Sequence, residues 1–276
     1  MLTIANKQHA DLLASSVKAL LLFLKNAIKR DLECVRIARA ANALALTEYF
    51  HNAEKKHVST YILSKQRADG GWTDPEETAW AISLLAKTKT VNDSSLVKAY
   101  SWLSDNRQAN GGWSRHSRDF TRIPTSALVI ALAPNAANDI DRNQIRKIWL
   151  SDLDSPVVLS YKAGFYLLAE SNEKKSAIRK VDSTITIIEA MQNEDGGFGP
   201  WKNHPIGSDP WSTGIVLWGL SKWIKRVDPK VIERALAWLE KMQLPTGFWS
   251  YHYLDEGTSY ALIGAVSAMK ALATLE

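Results

Sequence analysis

The 276-residue sequence predicts an all-α protein, an (α/α)6 barrel of six outer-inner helical hairpins in a single domain spanning residues 1–276. Three observations predict it. A short turn motif recurs at regular spacing, each copy joins a charged amphipathic helix to a more apolar one, and no strand-like alternation of useful length interrupts the pattern.

The motif is first met as Gln66-x-x-x-Gly70-x-Trp72 and returns as Gln192-x-x-x-Gly196-x-Phe198 and Gln243-x-x-x-Gly247-x-Trp249. In an imperfect copy Arg107 takes the glutamine slot before Gly111 and Trp113. The interval from Gly111 to Gly196 is about twice its neighbours, so one repeat has lost its signature; its turn is expected near residue 153, within IWLSDLDSPVVLSY.

The elements follow in order. An N-terminal helical pair is read at about 8–26 and 32–50. Beyond it the first helix of each repeat, such as SSLVKAYSWLSD or PKVIERALAWLEKM, is charged on one face and belongs to an outer set. Each ends in the glycine turn, because glycine accepts the left-handed backbone that a helix C-terminus needs. A Ser/Thr-rich cap then opens a second, more apolar helix: ETAWAISLLA, PTSALVIALA, SPVVLSYKAGFYLLA, WSTGIVLWGLS and GTSYALIGAVSA. Their small residues let helices approach closely, which makes them the inner set. Six such hairpins can close into a ring that leaves no end repeat exposed.

Composition narrows the function classes. No apolar run approaches the length of a membrane span, and the opening MLTIANKQHADLL lacks the parts of a secretory signal, so the cytoplasm is the expected compartment. A single cysteine, Cys34, excludes an intrachain disulfide and a multi-cysteine zinc site. The net charge of +5 is spread along the chain without a basic stripe, so nucleic acid is not an expected partner. Leu20, Leu21, Leu22, Phe23 and Leu24 beside Lys18 and Lys25 give the first helix a surface capable of peripheral membrane contact, against the plainer role of packing as an outer helix. The oligomeric state is left open.

The run Arg234-Ala235-x-x-Trp238-Leu239-x-x-x-Gln243-x-x-x-Gly247-x-Trp249 resembles the repeat of the squalene-hopene cyclase and prenyltransferase superfamily, and the likeness extends over nearly the whole chain from about residue 54. The resemblance implies an α/α toroid. It also implies that the glutamine ties each turn to the next helix N-terminus and that the tryptophan stacks there. Zinc-dependent prenyltransferases of that superfamily use an Asp, a Cys and a His near inner-helix starts. The matching stretches, Ser208 to Thr213 and Asp255 to Tyr260, hold neither Cys nor His, and His204 and His252 read as polar loop residues. No pair of adjacent aspartates supports an Asp-rich magnesium motif. No metal and no cofactor is expected.

What the resemblance leaves is protonation-initiated (class II) cyclisation, which uses DxDD at an inner-helix N-terminus. It needs a carboxylic acid kept protonated, above a cavity whose aromatic faces stabilise carbocations. Asp152-Leu153-Asp154-Ser155-Pro156 resembles that motif with Asp154 as donor, and Asp74-Pro75-Glu76-Glu77-Thr78 matches its shape with Glu76 as donor. Helix physics explains the same residues without catalysis, since Asp74, Pro75 and Glu77 make a helix cap. Trp80, Trp201, Trp211, Trp218, Tyr161, Phe165, Tyr251, Tyr253 and Tyr260 fall at or near inner-helix starts and are the candidate wall of an axial cavity. Arg115, Arg118 and Arg122 in the loop 114–122 are candidates for a phosphate-bearing head group. The expected partner is therefore a linear isoprenoid or an isoprenoid conjugate. The alternatives are a non-catalytic isoprenoid or lipid binder and, less favoured, a glycan-acting (α/α)6 barrel.

Overall fold

The computed structural model describes residues 4–88, 93–116, 118–171 and 178–275, with side chains from residue 13 onward apart from Asp93. Twelve α-helices occur among the described residues: α1 (Ile4–Lys29), α2 (Cys34–Leu44), α3 (Asn52–Ser64), α4 (Pro75–Ala86), α5 (Asp93–Asp105), α6 (Ile123–Leu132), α7 (Asp139–Leu153), α8 (Ser160–Ala169), α9 (Ile178–Met191), α10 (Pro210–Ser221), α11 (Pro229–Met242) and α12 (Leu254–Leu272). The even-numbered helices pack each on the next, and α12 returns to α2, so the inner set is a closed ring with the odd-numbered helices outside it. The fold is the α/α toroid that the repeats predict.

The repeated turn explains why the hairpins keep one register. Gly70, Gly111, Gly196 and Gly247 all have positive φ, and a Cβ at Gly70 would lie 2.7 Å from the carbonyl oxygen of Lys98 on the next outer helix. Only glycine satisfies both the backbone and the close approach. Gln66 Nε2 donates to the Gly70 carbonyl and onward to Ser95 in the first turn of α5, and Gln192 does the same to Gly196 and to Val231 in α11. Gln243 Nε2 donates at 2.7 Å to Ser16 Oγ in α1, so the last turn is tied to the first helix. The tryptophans do not merely stack. Trp72, Trp113 and Trp249 each donate the indole N–H to the carbonyl ten residues earlier, at Ile62, Leu103 and Leu239, within the last turns of the preceding outer helix.

A fourth contact completes the joint. Thr78, Ser126, Thr213 and Thr258 on the inner helices α4, α6, α10 and α12 accept the backbone N–H of Trp72, Trp113, Phe198 and Trp249 at 2.7 to 3.1 Å. These hydroxyls are equivalent positions, and they fix the relative height of four inner helices.

Two element boundaries differ from expectation. The second N-terminal helix ends at Leu44, where Thr47 Oγ1 takes up its carbonyl, rather than running on to residue 50. More consequentially, α8 begins at Ser160 and not at Ser155. The loop that follows α9 fixes its start: Ser160 N donates to Pro200 O at 2.9 Å, and the Ser160 hydroxyl bonds Gly199 O. Residues 155–159 consequently stay outside the inner helix. The first helix packs as an outer helix, with Leu20 and Leu24 buried and Leu22 59% exposed beside a groove of about 550 Å³ shared with α3. No described helix is long and apolar enough to cross a membrane.

Candidate active site

All inner-helix N-termini face one end of the ring. With the four hydroxyls as a common mark, Glu76, Pro124, Trp211 and Glu256 stand two residues before it, at the same height on α4, α6, α10 and α12. They form the rim at this end of the ring. On α2, which lies between α12 and α4, the buried Arg39 reaches into this rim.

Consecutive residues Glu76 and Glu77 point apart, as the 100° turn between helical neighbours demands. Glu77 completes the cap: Asp74 Oδ1 accepts Glu77 N at 2.8 Å, and Glu77 Oε2 accepts Thr73 N at 2.9 Å. The return bond thus comes from the residue before the cap instead of from Asp74 itself. Glu76 is only 8% exposed and turns toward Arg39, Glu256 and Tyr260. Burial pushes its carboxyl pKa up; the Arg39 and Arg115 guanidinium groups oppose that rise, and the Asp74 and Glu256 carboxylates assist it. Both arginines are compromised as counter-ions. Arg39 Nη1 donates to Glu256 Oε1 at 3.2 Å and Nη2 lies 3.9 Å from Asp255. Arg115 approaches Glu76 at 3.7 Å, but its side chain is 55% exposed, so water screens the pair. The burial effect therefore governs.

Beneath Glu76 lies a column of aromatic rings. Tyr161, Trp211 and Tyr251 meet at the mouth, with Trp211 and Tyr251 stacked at 5.9 Å and 4°. Phe165 and Tyr260 come next, each edge-on to Trp211, and Tyr260 is edge-on to Trp80 at 6.1 Å. Trp80 in turn stacks on Trp218 at 6.0 Å. Trp80, Phe165, Tyr260 and Trp218 are all buried, and the Trp80 indole N–H has no hydrogen-bond partner among the described residues. These rings pack on one another as a buried aromatic core, and aromatic faces of this kind attract cations.

The remaining expected residues are dispersed. Asp154 is the exposed C-cap of the outer helix α7, and Asp152, in the last turn of that helix, pairs with Lys162 at 2.9 Å. The expectation that Asp154 heads an inner helix is corrected by the late start of α8. Trp201 sits in the loop after α9 against His204, and Tyr253 is 54% exposed with Arg36 over its ring. Arg118 and Arg122 are exposed in the loop before α6, and Ser117 just before Arg118 lies outside the described residues. Arg115 and His116 join Arg67 in the wall of a polar cleft of about 470 Å³ that opens beside Asp74.

Four rim residues escaped the sequence reading of the acid site. Arg39 had a signal, an arginine set among the alanines of an inner helix. Asp255 and Glu256 had been weighed only as metal ligands, although Arg36 and Arg39 hold both. Asp209 caps α10 through Ser212 N at 2.8 Å; burial raises its pKa against the hydrogen bonds from Ser212 and Trp211, so it joins Glu76, Glu77 and Asp255 as a buried carboxyl at this end of the ring. Among the described residues no three His, Cys, Asp or Glu side chains converge on a point that could hold a metal.

The ring and its rim have the fold of the terpene cyclases of the toroid type. Among solved structures, the type II terpene cyclase MstE from Scytonema, in complex with geranylgeranyl dihydroxybenzoate, matches at a TM-score of 0.77 and 17% identity over 95% of this chain and 99% of that one. ent-Copalyl diphosphate synthase from Streptomyces platensis matches at a TM-score of 0.56 and 17% identity over 87% of this chain and 50% of that one. In sequence the chain is similar to drimenyl diphosphate synthase from Streptomyces showdoensis, 23% identical over 211 residues. That alignment takes in 67% of this chain and 39% of the synthase, so the chain spans about two fifths of the length of the curated relative it matches. No family profile matches.

Proposed function

We propose that the chain, working as one toroid, is a protonation-initiated (class II) terpene cyclase acting on a linear isoprenoid or isoprenoid conjugate, with Glu76 as its general acid. The observation that carries the reading is a buried carboxyl, raised in pKa by desolvation, standing at the head of a buried aromatic column. The similarity to drimenyl diphosphate synthase and to MstE supports it.

In this mechanism Glu76 transfers its proton to the terminal alkene: a C–H bond forms, the π bond breaks and a tertiary cation is left. The next alkene attacks that cation and passes the charge down the chain, while Trp80, Tyr260 and Phe165 stabilise it through their ring faces. Loss of a proton from the last cation restores an alkene, so substrate and product have the same mass. The cleft that Arg115 and Arg67 line beside Asp74 also carries Asp69 and Asp105, so the head group is not assigned to it. Asp154 has no part in this assignment, because an exposed carboxyl on an outer helix lacks the burial that keeps an acid protonated.

Incubation with farnesyl diphosphate, geranylgeranyl diphosphate and squalene, followed by mass and NMR analysis of products, tests the reading. The wild-type protein should give a cyclised isomer of one of them. Glu76→Gln should lower turnover by about 10²–10⁴-fold, the usual contribution of a positioned general acid, with Asp154→Ala unaffected. Undiminished turnover in Glu76→Gln would sink the acid assignment, and binding without turnover in the wild type would leave an isoprenoid-binding toroid.

A further inference from the structure

The outer helix α1 carries charge of one sign. From Leu13 to Arg30 the chain has Lys18, Lys25, Lys29 and Arg30, all exposed, and no acid; the first carboxylate beyond them, Asp31, is taken up by Lys65 at 2.6 Å. The helix period sets the three lysines on one outward stripe together with Leu22, spread over about 16 Å of helix.

On either side of this stripe the surface is apolar. Toward α3 lies the groove of about 550 Å³, lined by Leu21, Ile28, Phe50 and Val58. Toward the start of α12 lies a second, of about 430 Å³, lined by Phe23, Leu32, Phe248 and Leu254. Leu22 belongs to both and stands as the exposed ridge between them. Two tyrosines, each more than half exposed, flank the pair: Tyr49 next in the chain to Phe50, and Tyr253 in the wall of the second groove.

We propose that this face of α1 is a docking surface for an anionic phospholipid membrane, with Leu22 inserted among the acyl chains and Lys18, Lys25 and Lys29 at the level of the phosphates. The alkyl stems of the lysines lie along apolar surface while their ammonium groups stay in the polar layer. Tyrosine, with an apolar body and a polar tip, suits the same boundary. Shape favours a membrane over a protein partner, because mobile alkyl chains fill two grooves split by a ridge, whereas a rigid face fills them only if it is moulded to both. Charge selects the lipid: cations with no acid among them are drawn to an anionic surface and gain nothing from a zwitterionic one. The contact goes beyond the functional reading above and does not depend on the acid.

Flotation with vesicles of phosphatidylcholine alone, and of phosphatidylcholine mixed with phosphatidylglycerol, tests the surface. The protein should bind the mixed vesicles and not the zwitterionic ones, and added salt should release it. Lys18→Gln, Lys25→Gln and Lys29→Gln combined should weaken binding by about 10²-fold, about fivefold for each lysine near an anionic surface. Leu22→Ser, at an exposed position where folding is not at stake, should weaken it by about tenfold, the scale of burying one leucine. Binding to neither kind of vesicle, or binding that both variants leave unchanged, overturns the proposal. So does a dimer in light scattering that Leu22→Ser dissociates, which would make the face an interface between two copies of this chain.

Discussion

At the scale of the residue, Glu76 and Glu77 divide two tasks that one stretch of sequence superimposes. Asp74-Pro75-Glu76-Glu77 was legible as a helix start from its chemistry alone, because a capping aspartate, a proline and acids in the first turn are what a helix N-terminus favours. Which glutamate faces the axis was not legible, since that depends on the rotation of α4 in the ring, and the rotation is set by the Thr78 hydroxyl on Trp72 N. Asp154 failed as an inner-helix residue for a related reason: a bond from Ser160 to a loop forty residues away fixes where α8 begins. The burial of Glu76 has a consequence for stability that is independent of any substrate. Its folded-state pKa is raised above the unfolded value. The contribution of the neutral carboxyl is thus fully present below the unfolded pKa and is lost as pH rises through the folded one. Glu76→Gln cannot ionise, so its Tm should match the wild type near about pH 4 and exceed it near about pH 8. Turnover by the wild type should decline over the same rise in pH. A wild-type Tm above that of the variant at the higher pH contradicts the direction and makes Arg39 and Arg115 the dominant influence.

At the scale of the element, the repeated joint was the most legible feature and remained half seen. Glutamine, glycine and tryptophan are uncommon enough together that their recurrence identifies the repeat. The hydroxyl that completes it is not, because Ser and Thr near a helix start read as ordinary capping residues. The structure gives Thr78 and its equivalents a different partner, the buried backbone N–H of the turn tryptophan or phenylalanine. Thr78 is itself fully buried, so removal of its hydroxyl strands that N–H away from water. Thr78→Val, which keeps the side-chain volume, should therefore cost about 1–3 kcal/mol in urea unfolding, the desolvation penalty of an unpaired buried donor. A loss below about 0.5 kcal/mol would mean that the joint is held by the glutamine and glycine alone.

At the scale of the whole molecule, closure separates this ring from an open stack of helical repeats. In an open stack each repeat touches only its neighbours, terminal repeats fray, and stability is nearly a sum of local terms. Here Gln243 reaches Ser16 Oγ on α1 as Gln66 reaches Ser95 O on α5, and Gly247 packs on the Ser15 backbone as Gly70 packs on Lys98. The first helix is accordingly an outer helix with a neighbour on each side and not a free end, although its sequence carries no copy of the turn motif and was readable only as one half of an extra helical pair. The joint between the end and the beginning of the chain should then behave like any other. Gln66→Ala removes two side-chain hydrogen bonds, and Gln243→Ala removes at least the two to Ser16 and Gly247. At about 1 kcal/mol for each bond, both variants should lose about 2 kcal/mol, with a single unfolding transition and an unchanged denaturant slope. An open chain of repeats predicts a different result for Gln243→Ala, a smaller global loss together with early hydrogen exchange confined to α1. That pattern, found by mass spectrometry on the two variants side by side, would show that the ring is held shut by core packing alone and that the closing joint has no energetic weight.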